Sequence, residues 1–241
     1  MKVIINGAGG HMGQYVRSVV EAKDGMEVAA LVDKNGDYIH NLADFTGEAD
    51  VIIDFTHHSA TDELIDYAVS RKIPVIVATT GQTDEERAKI IAAGKEIPVF
   101  FSANMSLGVA LLVNLAKQTA LAFPDADIEI VEQHHNRKVD APSGTALMIA
   151  RALQEVRDQA EIVTGRNGQH KREKKEIGVA ALRLGNVVGI HEVLVTTGTQ
   201  TITLKHEAHS RELFADGAVA AAEYLVKQPA GLYDMNSLVN S

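Results

Sequence analysis

The chain has 241 residues, and its 46% hydrophobic and 23% charged residues are typical of a globular protein rather than a disordered one. A formal net charge of -9 disfavours nucleic acid as a partner, and no apolar run approaches the roughly 18 residues of a membrane span. The absence of cysteine excludes disulfides, thiolate metal sites and cysteine nucleophiles. The first residues, MKVIINGAGG, lack the apolar length of a signal peptide, so we expect a cytoplasmic protein without membrane contact.

Short strands rich in β-branched residues alternate with helical stretches in the first part of the chain. The predicted strands are 3–6, 27–32, 49–55, 74–79 and 98–103, and the predicted helices are 12–22, 59–71 and 83–94. Strands that are apolar throughout and alternate with helices indicate a parallel sheet covered on both faces. The first half is therefore predicted to be an α/β domain.

The pattern changes near residue 106. We predict a helix at 106–123, a strand at 127–133, a helix at 143–156, strands at 177–184, 191–197 and 200–208, and a last helix at 211–227. Strands that follow one another through short turns predict a second, mostly antiparallel sheet. The run QHKREKKE at 169–176 is predicted to be a solvated loop. Two domains of different topology follow from these patterns.

A glycine motif, GAGGHMG at 7–13, lies between the first strand and the first helix. Gly7 would permit a tight turn, Gly10 a close approach of backbone to a pyrophosphate, and Gly13 close packing of the helix. Asp33 follows Gly13 by twenty residues, at the end of the second strand, where a carboxylate can bind ribose hydroxyls. The spacing therefore predicts a dinucleotide site of the Rossmann type.

Asp33 and Lys34 give opposite indications about the choice of cofactor. The carboxylate of Asp33 would bind both ribose hydroxyls of NADH and repel a 2′-phosphate, whereas Lys34 could pair with that phosphate. We therefore predict that both NADH and NADPH are used.

Two further loops follow predicted parallel strands, DFTHHSA at 54–60 and ATTGQ at 78–82. Open α/β sheets bind ligands at the carboxyl ends of their strands, so these loops are expected near the nicotinamide. The adjacent histidines His57 and His58 suggest a metal at first sight. Neighbouring residues seldom converge on one ion, so no metal site is predicted there.

The segment EQHHNRKVDAPSGTA at 132–146 joins a strand to a helix. Ser143 is a good helix cap, and the amides that follow it can bind a carboxylate or phosphate. Lys138, His134 and His135 add positive or protonatable groups. The segment is predicted to bind an anion and to deliver a proton to it, because histidine and a lysine of lowered pKa both act as acids.

Three functions fit these features. One is a reductase of an anionic substrate, and another is a Rossmann oxidoreductase acting on sugars or hydroxy acids, which would not need the anion-binding helix start. The third is a regulator that senses NADP without catalysis, which the presence of both His134 and Lys138 disfavours.

Five segments together resemble the dihydrodipicolinate reductase family, the 4-hydroxy-tetrahydrodipicolinate reductases of bacterial lysine and diaminopimelate synthesis. They are GAGGHMG, ATTG, SANMSLGV, EQHHNRKVDAPSGTA and RLGNVVGIHEV, which occur in the same order and span nearly the whole chain. The fourth is the most specific. The resemblance implies hydride transfer from NADH or NADPH to a cyclic unsaturated imine that carries two carboxylates.

The resemblance also implies roles for individual residues. His134 would be the principal catalytic histidine and Lys138 the proton donor. The substrate carboxylates would be bound by His135, Lys138, Ser143, Gly144 and Thr145. The implied cofactor-binding residues are Gly7, Gly10, His11, Met12, Gly13, Asp33, Lys34, Phe55, Thr56, Ala78, Thr80, Ser102, Asn104 and Met105.

The architecture that the resemblance implies is α/β plus α+β. Residues 1–105 with 212–241 would form the Rossmann domain, and 106–211 an open mixed-sheet domain for substrate binding and assembly of a homotetramer. Two departures from the family pattern stand out. His57 and His58 follow the DFT segment, and Ile190 replaces the glutamate that commonly precedes His191, which we therefore expect to be structural.

Overall fold

A computed structural model describes residues 1–241, and the chain divides into two compact units. The first unit is Met1–Leu107 with Arg211–Ser241, and the second is Gly108–Ser210. None of the helices combines the length and the apolar character that a membrane span requires.

The first unit alternates strands and helices along the chain. Its elements before the second unit are β1 (Lys2–Asn6), α1 (His11–Ala22), β2 (Glu27–Val32), β3 (Val51–Asp54), α2 (Thr61–Arg71), β4 (Val75–Val77), α3 (Asp84–Ala93) and β5 (Pro98–Phe101). Each predicted strand and helix of this half is present, with ends that differ by up to two residues. The three central strands, β1, β3 and β4, are buried on both faces, as Val3, Ile4 and Ile5 illustrate with no exposed surface.

The second unit contains α4 (Leu107–Ala122), β6 (Asp127–His134), α5 (Gly144–Gln154), β7 (Glu161–Thr164), β8 (Glu176–Arg183), β9 (Gly189–Thr196) and β10 (Thr201–Ala208). Its sheet has the order β10-β9-β6-β8-β7. On one face, Ile128 and Ile130 of β6 pack with Ile149 and Leu153 of α5 in a dry core.

The prediction of a mostly antiparallel second sheet is wrong, because the sheet is mixed. β6 pairs antiparallel with β9 but parallel with β8, and β7 also pairs parallel with β8. The prediction failed because it did not include β7, a short strand with exposed ends that the sequence pattern did not reveal. With β7 in place, α5 and the charged run that follows become crossover connections between parallel strands.

The charged run 169–176 is not solvated along its whole length. The Arg172 guanidinium is largely covered, and it donates hydrogen bonds to Asp127 at 2.7 Å and to Glu129 at 3.2 Å. It also donates to the backbone carbonyls of Ile128 and Glu176. The prediction of a solvated loop is therefore wrong for Arg172, which binds the run to the first residues of β6.

The chain then returns to the first unit through α6 (Glu212–Leu225), β11 (Gly231–Tyr233) and α7 (Met235–Val239). β11, which was not predicted, completes a sheet of order β11-β5-β4-β3-β1-β2 in which all pairs are parallel. α6 packs against α1, and Lys23 and Glu223 form an ion pair of 2.6 Å. Because all six strands run the same way, their carboxyl ends lie along one edge of this sheet.

Candidate functional site

The glycine turn after β1 brings backbone atoms closer together than any side chain would allow. Gly7 has a φ of +87°, and a Cβ there would lie 2.8 Å from the carbonyl oxygen of Phe55. A Cβ on Gly13 would lie 2.1 Å from the carbonyl oxygen of Gly7. Gly10 precedes α1 as its N-cap residue and no side chain caps that helix, so the first amides face outward beside the turn.

Asp33 lies directly beyond β2, where it faces the glycine turn. Its Oδ2 accepts a hydrogen bond of 2.9 Å from the amide of Gly9, and its Oδ1 accepts one of 3.0 Å from the amide of Asn35. The carboxylate is thereby oriented beside the start of α1. Lys34 is exposed next to it.

A cavity of about 320 Å³ opens at the carboxyl edge of the first sheet, between the glycine turn and the residues that follow β2 and β3. Six of the predicted cofactor residues line it: Gly7, Gly10, Asp33, Lys34, Phe55 and Thr56. Residues that the sequence reasoning missed complete its wall, among them His40, Asn41, Leu42 and Glu63. No sequence motif marks this second group, because it derives from a loop and from a helix whose separate patterns are ordinary.

The remaining predicted cofactor residues do not line this cavity. His11, Met12 and Gly13 belong to the first turn of α1, and Ala78 and Thr80 follow β4. Ser102, Asn104 and Met105 follow β5; the hydroxyl of Ser102 donates to the carbonyl of Asn104 at 2.8 Å. Met105 is buried, and its carbonyl lies so close to Gly217 of α6 that a Cβ on that glycine would overlap it.

Asp54 is a buried carboxyl group at the end of β3 that the sequence reasoning left without a role. It accepts hydrogen bonds from Asn6 at 2.8 Å, from the hydroxyl of Thr56 at 2.8 Å and from the hydroxyl of Thr79 at 2.7 Å. Burial raises the pKa of Asp54, although all three hydrogen bonds act in the opposite direction. The carboxyl group therefore ties together the ends of β1, β3 and β4 at the ligand-binding edge of the sheet.

His57 and His58 are both engaged in local structure. Nδ1 of His57 accepts a hydrogen bond from the amide of Ser59, and Nδ1 of His58 lies 3.1 Å from both carboxylate oxygens of Glu86. Glu86 also forms a capping box with Thr83 at the start of α3. The two histidines thus connect the loop after β3 to neighbouring backbone and to α3.

The second unit holds all six predicted catalytic and substrate residues between the carboxyl end of β6 and the start of α5. His134 is the last residue of that strand, and its Nδ1 lies 2.6 Å from Oε2 of Glu132. The guanidinium of Arg183 donates to both oxygens of Glu132, at 2.8 and 2.9 Å. Burial alone would raise the pKa of Glu132, but the hydrogen bonds from Arg183, His134 and the amide of Ser143 hold it below its ordinary value. The carboxylate is therefore charged.

Ser143 is the N-cap of α5, as predicted from the sequence. Its hydroxyl accepts a hydrogen bond of 3.2 Å from the amide of Ala146 and lies 3.1 Å from Nε2 of His191. Gly144, the first helical residue, is exposed, with open space where a Cβ would be. Thr145 is half-buried in the same turn. The start of α5 is thus exposed at Gly144, and the amide of its cap residue Ser143 donates to Glu132, the partner of His134.

Lys138 and His135 complete this group. Both lie in the loop between β6 and α5, and both are half-buried. Nζ of Lys138 forms an ion pair of 2.8 Å with Oδ1 of Asp140, whose pKa this contact lowers. The second unit therefore combines an ammonium group, a histidine on a charged carboxylate and a helix N-terminus, which is an arrangement suited to binding an anion and protonating it.

The sequence reasoning missed Glu132 and Arg183. Glu132 was quoted as the first residue of its motif, but no role was assigned to it. A signal was present, because Glu132 continues the alternation of Ile128 and Ile130 at a position that should be apolar. A carboxylate at such a position requires buried partners, and Arg183 supplies one from the neighbouring strand.

The residues of the first unit fit a dinucleotide. The glycine turn leaves no space for a Cβ at Gly7 or Gly13, the start of α1 has no side-chain cap, and a carboxylate is oriented beside it at the edge of a cavity. These are the features that accommodate a pyrophosphate and a ribose.

Two family models together match nearly the whole chain. One model, described as dihydrodipicolinate reductase, N-terminus, matches residues 1–105. The other, described as dihydrodipicolinate reductase, C-terminus, matches residues 108–239. Curated relatives are similar over their full length. A 4-hydroxy-tetrahydrodipicolinate reductase of Caldanaerobacter subterraneus is 46% identical over 99% of this chain and 98% of its own, and one of Clostridium novyi is 41% identical over 100% and 98%.

Solved structures agree with these matches. A dipicolinate-bound dihydrodipicolinate reductase from Paenisporosarcina sp. TG-14 superposes with a TM-score of 0.81 at 25% identity, over 97% of each chain. An amine dehydrogenase from Mycobacterium smegmatis superposes with a TM-score of 0.64 at 10% identity, over 98% of this chain and 95% of its own, which shows a shared fold alone.

Proposed function

The chain belongs to the dihydrodipicolinate reductase family and is an NAD(P)H-dependent reductase of the diaminopimelate and lysine pathway; we propose how its residues divide that work. The first unit binds the nicotinamide cofactor, and the second binds 4-hydroxy-tetrahydrodipicolinate or the unsaturated imine derived from it. The observation that carries this proposal is the group formed by His134, Lys138 and the exposed start of α5 at Gly144, all within one unit.

The cofactor residues proposed for the first unit are those of the glycine turn and of the carboxyl ends of β2 to β5. When bound, NADH or NADPH supplies the hydride. The start of α1 holds the pyrophosphate by backbone amides, and Asp33 holds the ribose beside it. Lys34, the residue next to Asp33, would pair with the 2′-phosphate of NADPH. The nicotinamide side would be formed by residues that follow β3, β4 and β5: Phe55, Thr56, Ala78, Thr80, Ser102, Asn104 and Met105.

The substrate residues proposed for the second unit are His135, Lys138, Ser143, Gly144 and Thr145. Amides at the start of α5 hold one carboxylate, and the ammonium group of Lys138 supplies a charge-assisted hydrogen bond. The bound dipicolinate of the Paenisporosarcina reductase, a planar dicarboxylate, supports a small dicarboxylate as the substrate class.

The proton chemistry is assigned to His134 and Lys138. When a hydride adds to a carbon of the conjugated imine, the electron pair moves toward the ring nitrogen, and one proton must follow to balance the charge. His134 stabilises that developing charge, because its ring is oriented by the Glu132 carboxylate, 2.6 Å from Nδ1. Lys138 donates the proton, and Asp140 keeps its ammonium group in the site before substrate binds.

We propose that the protein forms a homotetramer and that it is located in the cytoplasm. Leu182 near the end of β8 and Leu184 in the turn after it have exposed side chains, which supports burial of this region between copies of the chain. The NADH and NADPH that the reaction consumes are intracellular metabolites, which supports the location. The mass in solution, measured by sedimentation equilibrium, tests the assembly; a monomer would contradict it.

Dipicolinate binding tests the proposed substrate site directly. Calorimetric titration of the protein with dipicolinate should show saturable binding, and Lys138→Ala should weaken it by about tenfold or more, since a hydrogen bond to a charged group contributes roughly 1.5–3 kcal/mol. The matched control is Lys174→Ala in the charged run, where the lysine is exposed. Equal affinity in both variants would contradict the assignment of Lys138.

A further inference from the structure

Glu132 occupies a position that its strand pattern reserves for an apolar side chain. Along β6, Ile128, Ile130 and Glu132 point to the same face, and all three have no exposed surface. A carboxylate at such a depth destabilises the fold unless donors surround it. Glu132 therefore requires an explanation beyond packing.

Four donors converge on this one carboxylate. Oε1 accepts from Arg183 at 2.8 Å and from the amide of Ser143 at 2.9 Å, and Oε2 accepts from Arg183 at 2.9 Å and contacts Nδ1 of His134 at 2.6 Å. Arg183 alone would have neutralised the charge and satisfied both oxygens. The two further contacts link Glu132 to the proposed catalytic histidine and to the first residue of the substrate-binding turn.

The charge on Glu132 determines which nitrogen of His134 carries a proton. An ionised carboxylate only accepts hydrogen bonds, so Nδ1 of His134 must be the donor in the 2.6 Å contact. In the neutral ring Nε2 is then unprotonated, and in the charged ring it holds the second proton. The opposite edge of the ring is confined as well, because a Cβ on Gly189 would lie 3.0 Å from Nε2.

The imidazole plane is held from a third side. His191 packs edge-on against His134, with ring centres 5.2 Å apart. Burial, with a further contribution from the charge of His134, lowers the pKa of His191 to about 4, so this neighbour is neutral at physiological pH and does not compete for the positive charge.

We infer that Glu132, held by Arg183, is a positioning residue of the reaction: it fixes the Nδ1–H tautomer and the orientation of His134 and keeps the start of α5 in register with that ring. The same carboxylate thus sets both the group that faces the developing charge and the amides that hold the anion. Glu132 does not touch the substrate and acts through His134 and Ser143. This inference rests on the role proposed above for His134.

The first test reads the tautomer without reference to activity. In ¹⁵N-histidine spectra of the whole protein under alkaline conditions, where imidazoles are neutral, His134 should show a protonated Nδ1 and an unprotonated Nε2; the His134→Gln variant identifies its signals. Glu132→Gln should convert His134 to the other tautomer or to a mixture of both. A wild-type ring protonated on Nε2 would overturn the inference, and this result stands even if Glu132→Gln does not fold.

The second test separates turnover from binding. Glu132→Gln should lower kcat by roughly 10- to 100-fold, the usual effect of a group that orients an active-site histidine, while the KM for NADH changes less than about twofold. Glu132→Asp should recover part of the loss, because it keeps the charge. The control is Glu129→Gln, which removes a carboxylate of the same strand that pairs with Arg172 and should leave kcat unchanged.

The outcomes distinguish this inference from the proposed function. If His134→Gln turns over like the wild type, the role of His134 itself is wrong. If His134→Gln is impaired but folded Glu132→Gln keeps full kcat, only the positioning role of Glu132 fails. An equal loss in Glu129→Gln would reduce the effect to general destabilisation of β6 and would also overturn the inference.

Discussion

Oγ of Ser143 lies 3.1 Å from Nε2 of His191, and both side chains are buried. Ser143 caps α5, so this contact connects the helix that starts the proposed anion site to the central part of the second sheet. Because His191 is neutral above its lowered pKa, its Nε2–H can donate to Ser143, whose own proton is then available to a carboxylate. The burial of His191 agrees with the expectation that it is structural. Its contact with Ser143 indicates that it also supports the start of α5.

The stability of the protein should depend on pH through His191. Its pKa is about 4 in the folded protein and near the ordinary 6.5 in the unfolded chain, so the stability contributed by the neutral ring is fully present above 6.5 and is lost as pH falls toward 4. The loss should amount to about 3 kcal/mol.

Urea unfolding of the wild type and of His191→Asn between these pH values measures this loss of stability. The two proteins should differ in slope, whereas the exposed His170→Gln control should follow the wild type; parallel curves for His191→Asn would contradict the prediction.

Removing either proposed proton-handling group should impair chemistry. We expect His134→Gln and Lys138→Ala each to lower kcat by about 10²–10⁴-fold, the usual scale for general acid catalysis. Steady-state kinetics at saturating cofactor gives the measurement, with the exposed Lys174→Ala as the control for loss of a lysine. Turnover close to wild type in both variants would remove these residues from the mechanism.

Both nicotinamide cofactors should support turnover. The kcat/KM values for NADH and NADPH are expected to lie within about a hundredfold of each other, or roughly 2.7 kcal/mol, because Asp33 favours one cofactor and Lys34 the other. Asp33→Asn keeps an acceptor for the amide of Gly9 while it removes the charge that opposes a 2′-phosphate. This variant should therefore shift the ratio toward NADPH, and a shift toward NADH would show that Asp33 does not face the ribose.

The glycine turn should not tolerate even one methyl group at Gly13. A Cβ there would lie 2.1 Å from the carbonyl oxygen of Gly7, so backbone must move, at a cost of about 1–3 kcal/mol. Gly198→Ala is the matched control, since it adds the same group into open space. Thermal unfolding compares the two. Equal stability of Gly13→Ala and the wild type would show that the turn is less tightly packed than described.

Local patterns predicted the parallel sheet well, because its buried strands and intervening helices are long, regular signals. Ser143 was recognised as a helix cap for the same reason, since capping depends on residues close in sequence. β7 and β11 are too short to produce a pattern, and the pairing of β6 with β8 depends on chain segments far apart, so the mixed order of the second sheet was not accessible from local periodicity.

The buried partners of the proposed site residues were not predicted from the sequence. One sequence motif includes His134 and Lys138, because they lie four positions apart at the end of β6 and in the loop that follows it. The carboxylate that contacts His134 is that of Glu132, and its charge is balanced by Arg183, which is 51 positions away along the chain. Only the pairing of β6 with β8 brings that arginine to Glu132, and no motif encodes such a contact.

Turnover of the freshly generated substrate tests the central claim most directly. Pyruvate and aspartate semialdehyde condensed by the preceding aldolase should drive oxidation of NADH or NADPH by the wild type, followed at the absorbance of the reduced nicotinamide. Oxidation that requires the complete mixture, and that falls sharply in Lys138→Ala but not in Lys174→Ala, is the predicted result. No loss of either reduced cofactor with this mixture would contradict the account.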